Sequence, residues 1–217
     1  MTSVVEICNL ALSNIRAGSI NALTEGSLQA QVCKLKYDIL RDRLLTDAPW
    51  QFARRVEPLA VLDIEVFNRV YAYQYPSDCL HINRLILNLE EVDSNSVDAI
   101  SRYRDNTLPR FNFNQQVEYD IRIIDGDRVI TSNEKELRAD YRVRIEDPNL
   151  YSSDFIMALS YLLSAELAIP IVGAEQGRAL RAESLQIYQQ YVDSAVANNQ
   201  NEQYALPPDS EFITVRS

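Results

Sequence analysis

The chain has 217 residues, 47% of them hydrophobic, and a formal net charge of −10. This excludes a disordered composition. With no Lys/Arg block anywhere it also excludes a protein that grips DNA from outside, since neutralised phosphates supply most of such affinity. An acidic surface would instead repel a passing phosphate backbone and let it slide. Five glycines argue against Gly-rich phosphate loops and flexible linkers. Cys8, Cys33 and Cys79 are widely spaced, contain no CxxC, and read as buried reduced thiols of a cytosolic chain. No basic, apolar leader opens the sequence, and no stretch reads as the ~18 apolar residues of a membrane span.

A first helix is expected over about 4–16. Ser3 caps it, Glu6 completes a capping box, and Gly18 stops it. A second helix should run from Ser27 or Leu28 to about Thr46. Its apolar face is read as Val32, Cys33, Leu35, Tyr37, Ile39, Leu40 and Leu44, and Pro49 blocks continuation. Trp50 is expected to be buried just after that turn, where the second helix meets the β-lobe.

The period then changes. Trp50, Phe52, Val56 and Leu59 suggest extended chain. Tyr71, Tyr73 and Tyr75 alternate up to Pro76. Leu80, Ile82, Leu85 and Leu87 suggest a strand whose phase slips near Asn83. Residues 90–116 read as a long polar loop with a short strand at Phe111–Phe113. Val117, Tyr119, Ile121 and Ile123 alternate into Asp125-Gly126-Asp127, a hairpin turn signal rather than a calcium loop, because no Glu follows at the twelfth position. Val129 and Thr131 return. Leu137, Ala139, Tyr141, Val143 and Ile145 form the clearest strand, its other face carrying Arg138, Asp140, Arg142 and Arg144. One buried and one wet face predict an antiparallel sheet.

Helix returns after Asp147-Pro148. A third helix over about 153–168, apolar on most sides and ended by Pro170, reads as central. A fourth runs over about 175–197. The last twenty residues carry isolated apolar anchors around Pro207-Pro208. The expected fold is α+β. A four-helix bundle is built from 1–48 and 147–197, an antiparallel β-lobe is inserted over 49–146, and an extended arm covers 198–217.

No catalytic constellation emerges. His81 is the sole histidine. It lies two residues from Cys79, on the same face of a regular strand, with no orienting acid nearby. One histidine and scattered cysteines leave no metal site, and no cofactor is expected. Tyr71, Tyr73 and Tyr75 fit either core or interface. Arg138, Arg142 and Arg144 fit a phosphate contact or, more simply, a solvated or subunit-facing strand. Tyr204, Leu206, Pro207, Pro208, Phe212, Ile213 and Val215 read as an arm that docks on a partner, with a strand packed on its own lobe as the competing reading.

Four blocks in order carry a family resemblance. They are Asn9, Ala11 and Leu12 within Ile7–Ile15; Ala30, Cys33, Tyr37, Asp38, Arg41, Asp42 and Leu45 leading into Pro49, Trp50, Phe52 and Ala53; Tyr71, Ala72, Tyr73, Pro76, Asp78 and Cys79; and Tyr141, Asp147, Pro148, Phe155, Ala158, Leu159, Ala165, Glu166, Leu167, Ala168 and Pro170. In these the chain resembles the head-to-tail adaptors of short-tailed bacteriophages, the tail tubular protein A family. It departs from them in the long loop and in the tail. The resemblance implies a non-enzymatic virion protein of the neck, assembled in the host cytoplasm. It implies a ring of twelve copies, with the helical part toward the portal and the β-lobe toward a tail nozzle protein. The C-terminal arm would reach the portal, and DNA would pass through the channel without specific binding or any membrane contact. A head-completion or stopper protein at the portal vertex is the alternative in the same class, and a small phage hydrolase the alternative in another.

Overall fold

Ser3 opens the first helix as its residue type dictates. Its hydroxyl accepts from the Glu6 amide while the Glu6 carboxylate accepts from the Ser3 amide. Helix α1 spans Val4–Asn14 and buries Ile7, Cys8, Ala11 and Leu12. It ends earlier than Gly18 suggests. Arg16 takes the left-handed conformation (φ 57°), and the Arg16 and Ala17 amides close on the Ser13 and Leu12 carbonyls. This is the Schellman arrangement with arginine where glycine is usual.

The computed structural model describes residues 2–87 and 117–202, with side chains as far as 197. The chain divides into two compact units, one of Met1–Phe52 with Asp147–Ser217 and one of Ala53–Glu146. The predicted loop over 90–116, its short strand, and the arm residues from 203 onward fall outside the described residues.

In the first unit, α2 (Leu28–Asp47) is capped by Ser27. Its buried face is Ala30, Cys33, Tyr37, Leu40, Leu44 and Leu45. Leu35 and Ile39, read from sequence as part of that face, point outward at 68% and 65% exposure. The helix carries apolar residues on two opposite sides, so apolar content alone did not single out the inner one. Trp50 and Phe52 are not extended either. A short 3-10 turn, Gln51–Ala53, folds them inward. Trp50 is buried at 4% exposure, donates its indole N–H to the Leu44 carbonyl (2.7 Å), and meets Phe155 edge-on at 5.1 Å between ring centroids.

Helix α3 (Ser153–Val172) is the helix on which α1, α2 and α4 (Ala174–Glu202) each pack. It is long and apolar enough to cross a membrane, contrary to the sequence reading. More than half of its apolar window is buried within the protein, which is what a helix surrounded by others requires. Pro170 lies inside its last turn instead of ending it. Proline there removes the amide that would donate to the Glu166 carbonyl, but only Ile171 and Val172 follow it in the helix, so little helix lies beyond the break. The actual stop is Gly173 (φ 98°), whose amide closes on Ile169. The chain then doubles back tightly. A methyl on Gly177 would sit 2.8 Å from the Ala168 carbonyl oxygen and 2.9 Å from the Ile169 Cα. Helix α4 continues through 198–202, residues assigned above to the arm. The run of Asn and Gln there is not a strong enough breaker to stop a helix already propagating.

The second unit holds two antiparallel sheets. One has the order β1 (Arg54–Pro58), β7 (Leu137–Val143), β4 (Cys79–Leu87). The other has the order β2 (Val61–Leu62), β3 (Tyr71–Gln74), β6 (Asp127–Ser132), β5 (Tyr119–Ile124). Tyr73 and Ile130 from one sheet join Ile82, Leu85, Leu137, Ala139, Tyr141 and Val143 from the other in one core. The β5–β6 hairpin turns at Asp125 (φ 52°) and Gly126 (φ 94°), both left-handed as a two-residue type I′ turn demands. The phase slip near Asn83 is a register shift between Ile82 and Arg84 in β4 against β7.

Candidate functional site

β7 is the middle strand of its sheet, so both of its edges are paired and side chains from two strands flank its own. Tyr141 and Ala139 face the core, while Asp140 and Arg142 are also buried. The wet face expected for this strand is not there. Register explains it. Val56 of β1 and Arg84 of β4 flank Asp140, and Arg54 and His81 flank Arg142. The Asp140 carboxylate accepts two hydrogen bonds from Arg54 (Nε 3.0 Å, Nη2 2.9 Å), one from Asn83 (Nδ2 3.1 Å) and one from Arg84 (Nε 3.2 Å). Burial would push its pKa up. The hydrogen bonds from Arg54, Asn83 and Arg84 outweigh this and hold it below the usual carboxylate range. Burial also lowers the pKa of Arg142, with Asp140 opposing. Arg138 is half-buried and Arg144 exposed.

This cluster ties three strands together through one carboxylate. It contains donors only around an acceptor-only group, so it has no group poised to take or give a proton at neutral pH. Its chemistry is that of a register lock.

The tyrosines separate. Tyr73 is fully buried, donates to the Glu134 carbonyl at 2.7 Å, and has its pKa pushed up to about 12 by burial. It is core, not interface. Tyr71 and Tyr75 are half-buried at the margin of the same cluster. Tyr75 accepts from the Cys79 thiol at 3.3 Å and lies under the Arg128 guanidinium at 5.6 Å. Tyr141 is buried too, but its hydroxyl reaches Glu57 (3.2 Å) and Asp78 (3.3 Å).

Cys79 and His81 do not share a face. A register shift between them pairs Cys79 with Val143 on the core side and His81 with Arg142 on the other. The thiol is buried, with its pKa raised chiefly by desolvation, and His81 is exposed. The two-residue rule for strands fails wherever a bulge intervenes. Among the described residues no group of three His, Cys, Asp or Glu side chains could hold a metal ion.

Several residues that carry the resemblance build the helical unit. Cys33, Tyr37, Phe155, Ala158, Leu159, Leu167 and Ala168 are buried. Arg41 is buried and held by Asp38 (2.9 Å) and Asp42 (2.8 Å). Phe52, Trp50, Tyr151 and Phe155 form one aromatic cluster, with Tyr151 and Phe155 at 4.7 Å. The portal-arm candidates Tyr204, Leu206, Pro207, Pro208, Phe212, Ile213 and Val215 lie outside the described residues. Sequence reasoning missed Asp140 as a hub, because a lone acid among arginines looks like an ordinary solvated strand face. Asn9 is among the residues that carry the resemblance, but its role is visible only in the structure: its side-chain amide accepts from and donates to the Ile20 backbone across the loop after α1 (2.8 and 2.9 Å).

No protein-family model matches the chain, and no curated protein matches it significantly.

Proposed function

We propose that the chain is a head-to-tail adaptor of a short-tailed phage. Its four helices form a bundle that docks on the portal, its β-unit faces the tail nozzle protein, and twelve copies close a ring around the DNA channel. In this reading it is a structural virion protein and not an enzyme, and the arm from 203 onward reaches the portal. The observation that carries the reading is the order of the parts. Helices from both ends of the sequence make one unit, an antiparallel β-unit is inserted between them, and the resemblance blocks supply the helical unit's buried residues. The register lock at Asp140 suits a part that transmits load between rings and turns over no substrate. Electron microscopy of the chain mixed with its cognate portal tests it. Rings seated on the portal are expected. Copies attached elsewhere on the vertex would favour a stopper protein, and no attachment would end the proposal.

A further inference from the structure

Helix α2 is apolar on two opposite sides, and only one of them is covered. Ala30, Cys33, Tyr37, Leu40 and Leu44 turn inward, in the unit where α2 packs on α3. At roughly 100° of turn per residue, Leu28, Val32, Leu35 and Ile39 gather on the other side. Leu28, Leu35 and Ile39 are more than half exposed, and Val32 is half-buried. These four recur at steps of four, three and four, the a and d spacing of a coiled-coil seam. β-Branched Val32 and Ile39 take the a positions, and Leu28 and Leu35 take the d positions. That choice favours two parallel helices over three or four. Two heptads are too few to hold a free coiled coil together. Here α2 is already kept helical by α3, so pairing bears no cost of helix nucleation.

The residues beside the seam fit the same arrangement. One flank holds Gln31 and Asp38, the g positions, and the other holds Lys36 and Arg43, the e positions. In a parallel two-fold pair the g flank of each helix faces the e flank of the other, so Asp38 of each copy meets Arg43 of the other. An antiparallel pair would set like flank against like, acid on acid. The atoms are available. Exposed Asp38 accepts from Arg41 on one carboxylate oxygen (2.9 Å), which leaves the second. Exposed Arg43 donates its Nε to Asp47 (3.3 Å), which leaves its Nη groups. Lys36 is tied to Glu166 of α3 and adds less. Asp42, at the next seam position, is held by Arg41 at 2.8 Å, and the apolar contact ends there. We infer that two copies of this chain pair through the outer face of α2, parallel and in register about a two-fold axis, with Leu35 of one beside Leu35 of the other. The face is self-complementary, so the contact closes at two copies. It is small, below about 1,200 Å² in total, so the pair is weak. The pairing does not depend on the adaptor reading. Neighbours in a twelve-membered ring differ by a twelfth of a turn and not by half, so the pair is a state of the free chain that opens before docking.

Sedimentation of the intact chain from about 10 μM to about 1 mM covers the range where such a contact forms. The weight-average mass should climb with concentration toward twice the monomer and no further. Leu35→Asp, at an exposed position and checked by an unchanged melting curve, should hold the chain at monomer mass. Asp38→Lys and Arg43→Glu, checked in the same way, should each weaken association several-fold. An equal mixture of the two should restore it, because only the mixed pair sets acid against base on both flanks. As a second measure, Leu35→Cys chains should be joined to one another by a short bis-maleimide, the native cysteines being buried. Leu28→Cys should not be joined to Ile39→Cys, since those positions lie about 16 Å apart along the helix. Monomer mass at the top concentration, growth past the dimer, or association that Leu35→Asp leaves unchanged overturns the inference. So does joining of Leu28→Cys to Ile39→Cys, which would mark an antiparallel pair. A chain that stays monomeric while Leu35→Asp abolishes attachment to the portal also overturns it, and assigns the stripe to the portal within the adaptor reading. A two-fold pair in a chain that never attaches to the portal leaves the inference standing and removes the adaptor reading.

Discussion

Asp140 shows how one side chain can set a pH dependence. Its pKa is lower in the folded chain than in the unfolded one. Its stabilising effect is therefore complete above the unfolded value, about 3.9, and is lost as pH falls through the still lower folded value. Asp140→Asn keeps the shape and removes the charge, leaving Arg54 and Arg84 without their counter-ion. We expect a loss of about 1–3 kcal/mol at pH 7, because Arg54 and Arg84 are a third or more exposed and water takes over part of their solvation, shrinking as pH drops below about 4. Urea titrations of both proteins across that range check the sign, and a difference that grows on acidification would contradict it. Trp50 sets a second residue-scale test. Its indole is hydrogen-bonded to Leu44 and packed on Phe155, so Trp50→Ala should cost about 3–5 kcal/mol. The loss is read by far-ultraviolet circular dichroism because the chain has no other tryptophan.

At the scale of elements, two glycine exchanges should act in opposite directions. Arg16 holds a left-handed conformation at the end of α1 that glycine adopts without steric cost. Arg16→Gly should stabilise by about 0.5–1 kcal/mol, seen as a higher Tm. Gly177→Ala gains about 1 kcal/mol of helix propensity, yet its methyl would strike the α3 backbone at 2.8 Å. Backbone cannot swing aside as a side-chain tip can, so the net change should be destabilising by about 1–3 kcal/mol. An unchanged or raised Tm would show that the α3–α4 hairpin is looser than described. Elements were legible where a local rule operates alone. The Ser3–Glu6 box, the Asp125-Gly126 turn and the slip at Asn83 all announce themselves within a few residues. They were illegible where packing chooses between equal options. Leu35 and Ile39 are as apolar as Leu40 and Leu44, and only the position of α3 decides which pair turns inward. Pro170 and Arg16 follow the same logic, each tolerated because neighbouring contacts outweigh a local preference. The candidate arm drew on composition alone, and the Asp140 hub needs three strands brought into register before it exists.

For the whole molecule, the helical unit is closed by α4, which runs through Glu202. Deleting 203–217 should shift Tm by no more than a degree or two and greatly weaken attachment to the portal. Within that segment, truncating Phe212 or Ile213 should cost roughly 2 kcal/mol of binding or more. A deleted chain that melts far earlier, or that binds the portal undiminished, would remove the role proposed for the arm. At micromolar concentration and without portal the chain should sediment mainly as a monomer, which a stable closed ring in its absence would refute.

The split arrangement of the helical unit bears on synthesis. α1 and α2 pack chiefly on α3 and hardly on each other, and α3 begins only at Ser153. A nascent chain must therefore carry two amphipathic helices with their inner faces bare while the whole of Ala53–Glu146 is still being translated. The β-unit is contiguous and can fold as it emerges, whereas the helices wait for a partner more than a hundred residues downstream. Such delayed closure slows folding and lengthens the time that apolar surface is open to aggregation. Trigger-factor-like holding chaperones should accordingly engage ribosome-bound chains ending before residue 153 and release them once α3 has cleared the exit tunnel.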